Sequence, residues 1–420
     1  MLFKPILSLT LVAASLINAA VIVPNVHKRG GEASGKFVHI TGTYYVCIYI
    51  ATFDLYMCAS VSSYCHRKDG DNDKGFAGKY GTLGSKCDTP KALIDATFDF
   101  LKEQASDADF VIYTGDSVRH DRDIFERRRD EEVKATQDLM VKYFTSTFSK
   151  VIPVLGNNDV ETHNNIKAYD DQYPEFMSTW APFSLNLGED FIRGGYYIQE
   201  LAPNLRTINT NTMAFLKKNE LLYDDCDVPG PGRNQLDWLR KSLEDTRASK
   251  SKAYILLLGS YSDVILAHFS GHFNYDQLTA VLQNKLDGTY TRVAALGEEE
   301  VPMTAKELEI YQVVGVLFNA PSIVPQQNPA VRIYSYDTEG TRYPYGTILD
   351  WDQYYANLEE ANQSGTLKFK LEYTASKLYN VDHFDASGLQ SVFEAISLDE
   401  NVRQKYTAFR AVNVDKAEEM

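Results

Sequence analysis

Two short β-branched apolar runs, Val111-Ile-Tyr-Thr and Val151-Ile-Pro-Val-Leu, end abruptly in Gly115-Asp116 and Gly156-Asn157. Runs that are apolar throughout predict strands buried on both faces, as in a parallel sheet. A similar run, Lys36-Phe-Val-His-Ile-Thr41, precedes them. Between the runs the apolar positions fall at helical spacing. Over 89–103, Leu93, Ala96, Phe100 and Leu101 recur with Pro90 in the first turn, which predicts a helix. A longer charged helix is predicted over 125–148. This β-α-β-α-β alternation predicts a layered α/β domain. Further on, 195–201 and 205–209 read as a strand pair, 234–246 as an amphipathic helix and 253–258 as a strand. Gly271-His272 marks another strand-to-loop junction, and 309–337 alternates strand-like runs with Pro-rich turns. From about 349 the pattern is mixed helix and polar loop.

The N-terminus changes the picture. Lys4 precedes an apolar run over 5–23, broken only by Ser, Thr and Asn18, with Ala19-Ala20 offering a cleavage site. It reads as a secretory signal. An uncleaved anchor giving membrane attachment is the alternative, since ~20 apolar residues cross a bilayer. Lys28-Arg29 is a dibasic processing site, so 1–29 is set apart from a main domain over 36–340 and a C-terminal extension over 341–420. Five cysteines in a secretory chain predict disulfides with one thiol left over. Cys65 and Cys87 bracket a polar, Gly- and Asp-rich loop and are the expected pair. Asn362-Gln-Ser364 is the lone glycosylation sequon.

Charge narrows the partners. A net charge of −15 argues against a general nucleic-acid binder. Against that average, Arg119, Arg122, Arg127, Arg128 and Arg129 follow closely on Asp116. Such a cluster guides a polyanion toward a site, and Arg119, Arg127 and Arg128 are the substrate-binding candidates. A helix face whose Asp and Glu neutralise the arginines is the other reading. In an open α/β sheet, ligands bind at the carboxyl ends of strands. One end delivering Asp116 and the next Asn157 sets hard oxygen ligands about one metal–metal spacing apart. Two ions ~3.5–4 Å apart hydrolyse phosphate esters. Gly-Asp and Gly-Asn are also common turn pairs.

At this point the chain resembles a known family, the calcineurin-like metallophosphoesterases. Within them it is similar to the fungal endopolyphosphatases, relatives of the acid sphingomyelinase-like phosphodiesterases. The resemblance rests on Ser62-Ser-Tyr-Cys-His66-Arg67, Gly115-Asp-Ser-Val-Arg-His120-Asp121, Gly156-Asn-Asn-Asp159 and Gly271-His-Phe-Asn274. Weaker pieces are Pro321-Ser-Ile-Val-Pro325 with Asn328-Pro329, and Trp351-Asp-Gln-Tyr-Tyr355. The resemblance implies two mixed sheets flanked by helices around two divalent ions. Asp116 would bridge the ions, Asn157 and His272 would bind one of them, and Asn274 would stand where other members have a metal-binding histidine. Amide ligands favour Mg, Mn or Co, with Zn as the alternative. Asn158 replaces a histidine of the wider superfamily that serves as proton donor or transition-state contact, as in the polyphosphatase branch. His120 would contact phosphate, donate a proton or hold a loop. The implied reaction is hydrolysis of internal phosphoanhydride bonds of inorganic polyphosphate, and the implied place is the secretory pathway, in the vacuole, with secretion as the alternative.

Two stretches depart from the family pattern. The Asp-x-His that should follow the first strand is absent: Thr41 runs into Gly42-Thr-Tyr-Tyr and an almost uncharged stretch to Cys58. Asp54-Leu-Tyr56 is the nearest substitute. After Gly259 a Gly-His-x-Pro loop is also missing, with His268 the nearest imidazole. These departures keep open a sphingomyelinase-like phosphodiesterase, a catalytically impaired scaffold, or errors of gene structure at both places.

Overall fold

A computed structural model gives the fold; it describes residues 27–29, 32–45, 59–67, 75, 77–221, 230–254, 260–296 and 302–412. Cys47, Cys58, Cys226, Asp54 and the apolar run over 5–23 lie outside the described residues. The first sheet is built on β2 (Glu32–Ile40), β3 (Phe110–Tyr113) and β4 (Val151–Pro153), which run parallel to one another. On the other side of β2 come β12 (Ala330–Asp337), β13 (Ile348–Tyr355) and β14 (Lys370–Thr374), all antiparallel. The short β1 (His27–Arg29) also pairs with β2, so Lys28-Arg29 sits in a strand.

The second sheet is mixed as well. Its order is β10 (Tyr290–Ala294), β9 (Gln277–Asn284), β11 (Tyr311–Asn319), β8 (Ile265–Ser270), β7 (Lys252–Tyr254), β6 (Leu205–Asn209) and β5 (Tyr197–Ala202). The two sheets meet through aromatic rings. Phe37 of β2 stacks on Phe110 of β3 at 4.9 Å and on Tyr334 of β12 at 4.7 Å, and takes the edge of Phe269 from β8 at 5.5 Å. Offset and edge-on packing of this kind contributes beyond the area it buries.

Helices cover the outer faces. α1 (Lys91–Ala105) and α2 (Asp130–Thr147) lie on the first sheet, where Phe144 meets Phe98 and Tyr113 at 5.1 and 4.8 Å. The charged helix begins at Asp130, not near 125, because the preceding arginines are engaged in a loop described below. Its first turn holds Asp130, Glu131 and Glu132, which suits the positive end of the helix dipole. α5 (Pro231–Ala248) packs Leu239 and Leu243 against Ile208, Ala253 and Ile265 on the second sheet.

The segment beyond 340 is not an appendage. It contributes β13 and β14 to the first sheet, and then α9 (Ala386–Leu398) and α10 (Glu400–Arg410). Tyr406 of α10 accepts a hydrogen bond from the backbone N of Leu278 at the start of β9, 2.9 Å away. The boundary drawn at 340 therefore has no counterpart in the sheets. The architecture is two mixed sheets face to face, flanked by helices, with the carboxyl ends of β2, β3, β4 and β8 at one rim.

Candidate functional site

That rim gathers the strand ends singled out above. The turns after β3 and β4 pack back to back with no room between them. A Cβ on Gly115, whose φ is +79°, would come 2.4 Å from the backbone N of Gly156. Only glycine fits there. Asp116 is itself left-handed, with φ 63°, and buried. Asp159 locks both turns. Its Oδ2 accepts from the backbone N of Asp116 and of Gly156 at 2.8 Å, and its Oδ1 from Ser117 N at 2.7 Å and Gln137 Nε2 at 2.8 Å. Burial, and then the nearby Asp116 carboxylate, push Asp159 above the usual carboxylate range.

Asp116 faces two neighbours. Its Oδ1 accepts from the Asn158 backbone N at 2.9 Å and from Asn158 Nδ2 at 3.2 Å. Its Oδ2 accepts from the Tyr44 hydroxyl at 2.6 Å. Burial, then the Asp116 charge, keep that phenol protonated well above its ordinary value, so it is a donor. On the other side, Asn157 and His272 meet: Asn157 Oδ1 and His272 Nδ1 are 2.9 Å apart. The Asn157 amide is turned that way because its Nδ2 donates to His163 Nε2 at 2.9 Å and Asn164 Oδ1 at 3.0 Å. Burial, then Arg128, lower His163 to about 4, which leaves a neutral imidazole able to accept.

A buried polar line runs back from this carboxylate. The His120 ring stacks on Tyr44 at 4.4 Å, and its Nδ1 lies 2.5 Å from Asp88 Oδ1. Asp88 also accepts from the His120 backbone N at 3.0 Å and lies 3.3 Å from His66 Nε2. Burial works against the Asp88 charge, but the His120 and His66 imidazoles hold it well below the carboxylate range. His66 Nδ1 faces Arg119 at 3.3 Å, and Arg119 forks onto Glu132 at 2.5 and 3.0 Å. Cys65 and Cys87 are joined in a disulfide, with Cα atoms 5.3 Å apart, so it sits beside both His66 and Asp88.

The arginine cluster is divided by this geometry. Arg119 is consumed by Glu132. Arg128 is buried and donates to four carbonyls: Arg119 O at 3.1 Å, Asn158 O at 2.6 Å, Val160 O at 2.6 Å and Glu161 O at 3.1 Å. Neither presents a guanidinium to a polyanion. Arg127 is exposed and pairs with Asp121 at 3.2 Å. Asn362 is likewise engaged: its Nδ2, the atom a glycan would occupy, donates to Gly81 O at 2.8 Å, while its Oδ1 accepts from Tyr80 N at 2.9 Å. In this fold the sequon side chain is closed to sugar. His268 is buried within β8 and pushed down to about 3 by burial, then Arg292, so it serves the core.

The implied pair of divalent ions is tested against these donors. Two adjacent ligands of one six-coordinate ion at ~2.1 Å stand ~3 Å apart, which matches the Asn157–His272 separation. Asp116 Oδ2 keeps a lone pair beside Tyr44. Asn158 Oδ1, Asn274 Oδ1, Thr41 Oγ1 and Ser322 Oγ are buried without a hydrogen-bond partner. Asp116, Asn157 and His272 are the residues that would hold a hard divalent ion here. Among the described residues no group of three or more His, Cys, Asp or Glu is placed to hold a metal. Tyr44, Asp159, Asp88 and His66 escaped the sequence reading of the site. Asp159 and His66 stood inside quoted motifs, and Tyr44 and Asp88 gave no signal.

Comparison with known proteins places this geometry. Residues 313–418 match the family described as acid sphingomyelin phosphodiesterase C-terminal region. The human cyclic GMP-AMP phosphodiesterase SMPDL3A is 27% identical over 94% of this chain and 87% of its own length. The endopolyphosphatase of Cryptococcus neoformans is 29% identical over 72% of this chain, which spans 58% of that protein's length. Among solved structures, a dimetal phosphatase from Danio rerio overlaps 76% of this chain and 95% of its own at 12% identity, with a TM-score of 0.38. The chain is thus similar, over most of its length, to acid sphingomyelinase-like phosphodiesterases and to endopolyphosphatases, which supports a metal-dependent phosphoester hydrolase of that kind.

Proposed function

We propose that the protein is an endopolyphosphatase, hydrolysing internal phosphoanhydride bonds of inorganic polyphosphate. The observation that supports this substrate is Asn158, buried with its amide on the Asp116 carboxylate. An amide N–H donates hydrogen bonds but does not transfer its proton as a general acid. An alkoxide leaving group, as in a lipid or nucleotide diester, calls for a general acid. A phosphate leaving group departs as a stable oxyanion and does not. An amide at 158 therefore suits the anhydride better than the ester. A divalent ion held by Asp116, Asn157 and His272 would supply a lowered water pKa and charge neutralisation at the phosphoryl oxygens. The chain's own contribution is positional: Asp159 fixes both turns, and Asn158 holds the carboxylate in one orientation. His120, bound to Asp88 and stacked on Tyr44, supports the rim.

The experiment compares two substrates on the full chain in Mg, Mn and Co. Shortening of long-chain polyphosphate on gels is expected to exceed release of nitrophenol from bis(p-nitrophenyl) phosphate. A second reading, a phosphodiesterase, is favoured by the length over which the cyclic GMP-AMP phosphodiesterases align, 94% of this chain for the human protein. Preference for the diester would establish it and overturn ours. Binding of polyphosphate without turnover in any of these metals or Zn would instead make the protein a non-catalytic binder. The disulfide fits an oxidising compartment, which supports a secretory route; the vacuole is our proposal for its destination. Among the described residues no helix is long and apolar enough to cross a membrane.

A further inference from the structure

We infer that the described residues of this site hold a single divalent ion, because the Tyr44 phenol occupies the Asp116 Oδ2 edge that a second ion would need. The inference deepens the phosphoesterase reading above and rests on it. The chain leaving β2 is zipped along the turn after β3: Gly42 N donates to Gly115 O at 3.0 Å, Tyr44 N to Asp116 O at 2.9 Å and Tyr45 N to Ser117 O at 2.7 Å. Three backbone bonds thus fix where the Tyr44 side chain starts. Its ring is 1% exposed and lies nearly parallel to His120, at 11°. His120 is held in turn by Asp88. The phenol is therefore backed by a rigid wall and points its hydroxyl at Asp116 Oδ2.

Apart from Asp116, the oxygens packed beside this phenol are uncharged. A Cβ on Gly42 would come 2.7 Å from the Tyr44 ring, 2.7 Å from Ser322 Cβ and 3.1 Å from Asn274 Oδ1. The oxygens of Asn274, Ser322 and Thr41 that lack partners are amide and hydroxyl oxygens. Residues 41–45 bring no carboxylate or imidazole. Hard cations are held by charged oxygens, and affinity falls with the charge count of the site. Among the described residues the carboxylate that touches the phenol, Asp116, is already shared between Asn158 and the phenol. The opposite half differs, since there Asn157 and His272 stand 2.9 Å apart with the amide locked by His163 and Asn164.

The test counts ions on the full chain without substrate, by equilibrium dialysis against Mn with metal quantification and electron paramagnetic resonance. One Mn per chain with an uncoupled six-line spectrum is expected. Two Mn per chain with an exchange-coupled spectrum would overturn the inference, as would no bound Mn. Asp116→Ala is expected to lose the ion. His272→Ala, at an exposed position, serves if that variant fails to fold, and should weaken binding at least about tenfold. Binding unchanged in both would place the ion elsewhere and reject the site. Tyr44→Phe keeps the ring but frees Asp116 Oδ2, so the single ion should bind about tenfold tighter; unchanged affinity would reject the closing role. Because no substrate is present, a preference for diesters leaves this count standing, and a count of two leaves the polyphosphate reading standing.

Discussion

Asp159 and Asp116 sit side by side and do opposite work, which makes them separable by mutation. Asp159 satisfies the backbone N–H groups of Asp116, Ser117 and Gly156 together with the Gln137 amide. Asp159→Ala leaves those donors buried and unpaired, at about 1–3 kcal/mol each. Urea unfolding should show a loss of several kcal/mol, with activity falling alongside. Asp116→Asn should instead abolish turnover with little change in the urea midpoint, because its loss removes an ion contact and keeps the shape. A second residue sets a pH dependence. The Glu372 carboxylate is enclosed, with Oε1 unpartnered and Oε2 on Gln353 at 2.5 Å. Burial raises it to about 8, with Gln353 and Arg332 pulling the other way. Between about 4.5 and 8 the folded state then binds more protons here than the unfolded one, so stability falls as pH rises through that window. Thermal melts of Glu372→Gln should lack this part of the slope.

At the scale of elements, the loop entering α2 is tied to the loop leaving β4 by one guanidinium. Arg128 reaches the carbonyls of Asn158, Val160 and Glu161 across about thirty residues of chain. A planar fork does this and an ammonium does not. Arg128→Ala is expected to lower the melting temperature by several degrees and to loosen the Asn157–Asn158 turn. Arg127→Ala, removing an exposed pair with Asp121, should leave it within about a degree. Equal effects of the two on KM, with no change in melting, would return both arginines to substrate binding. Charge along 119–129 was plain in the sequence, yet charge alone does not say which guanidinium is buried. The Asp and Glu that neutralise it decide that, and Glu132 lies thirteen residues from Arg119.

Over the whole molecule, the Cys65–Cys87 bond holds His66 and Asp88 against the rim from two sides of a loop. By chain-entropy reasoning, closing a loop of 22 residues contributes about 3 kcal/mol. Calorimetry with and without a reductant should show a lower transition temperature on reduction. An unchanged temperature would mean that the loop is ordered without the bond. The C-terminal segment shows the limit of local patterning at this scale. Its alternating, Tyr-rich strands, such as 348–355, read as mixed loop because a strand with alternate positions only partly buried lacks the continuous apolar signal of strands buried on both faces. They became legible only through pairing with β12.

The sequence by itself determined the parallel core and its chemistry-bearing ends. Strands buried on both faces must be apolar throughout, and a run of that kind can stop in Gly-Asp or Gly-Asn only where the chain leaves the sheet. Asp116 and Asn157 were therefore placed at one rim by the sequence pattern, and His272 was joined to them by the family resemblance. The tertiary structure alone decided what fills the space between them. Tyr44 on Asp116, Asp88 between two imidazoles and Arg128 under the turns are contacts between residues 22 to 72 positions apart. Their existence depends on backbone paths that no local pattern encodes.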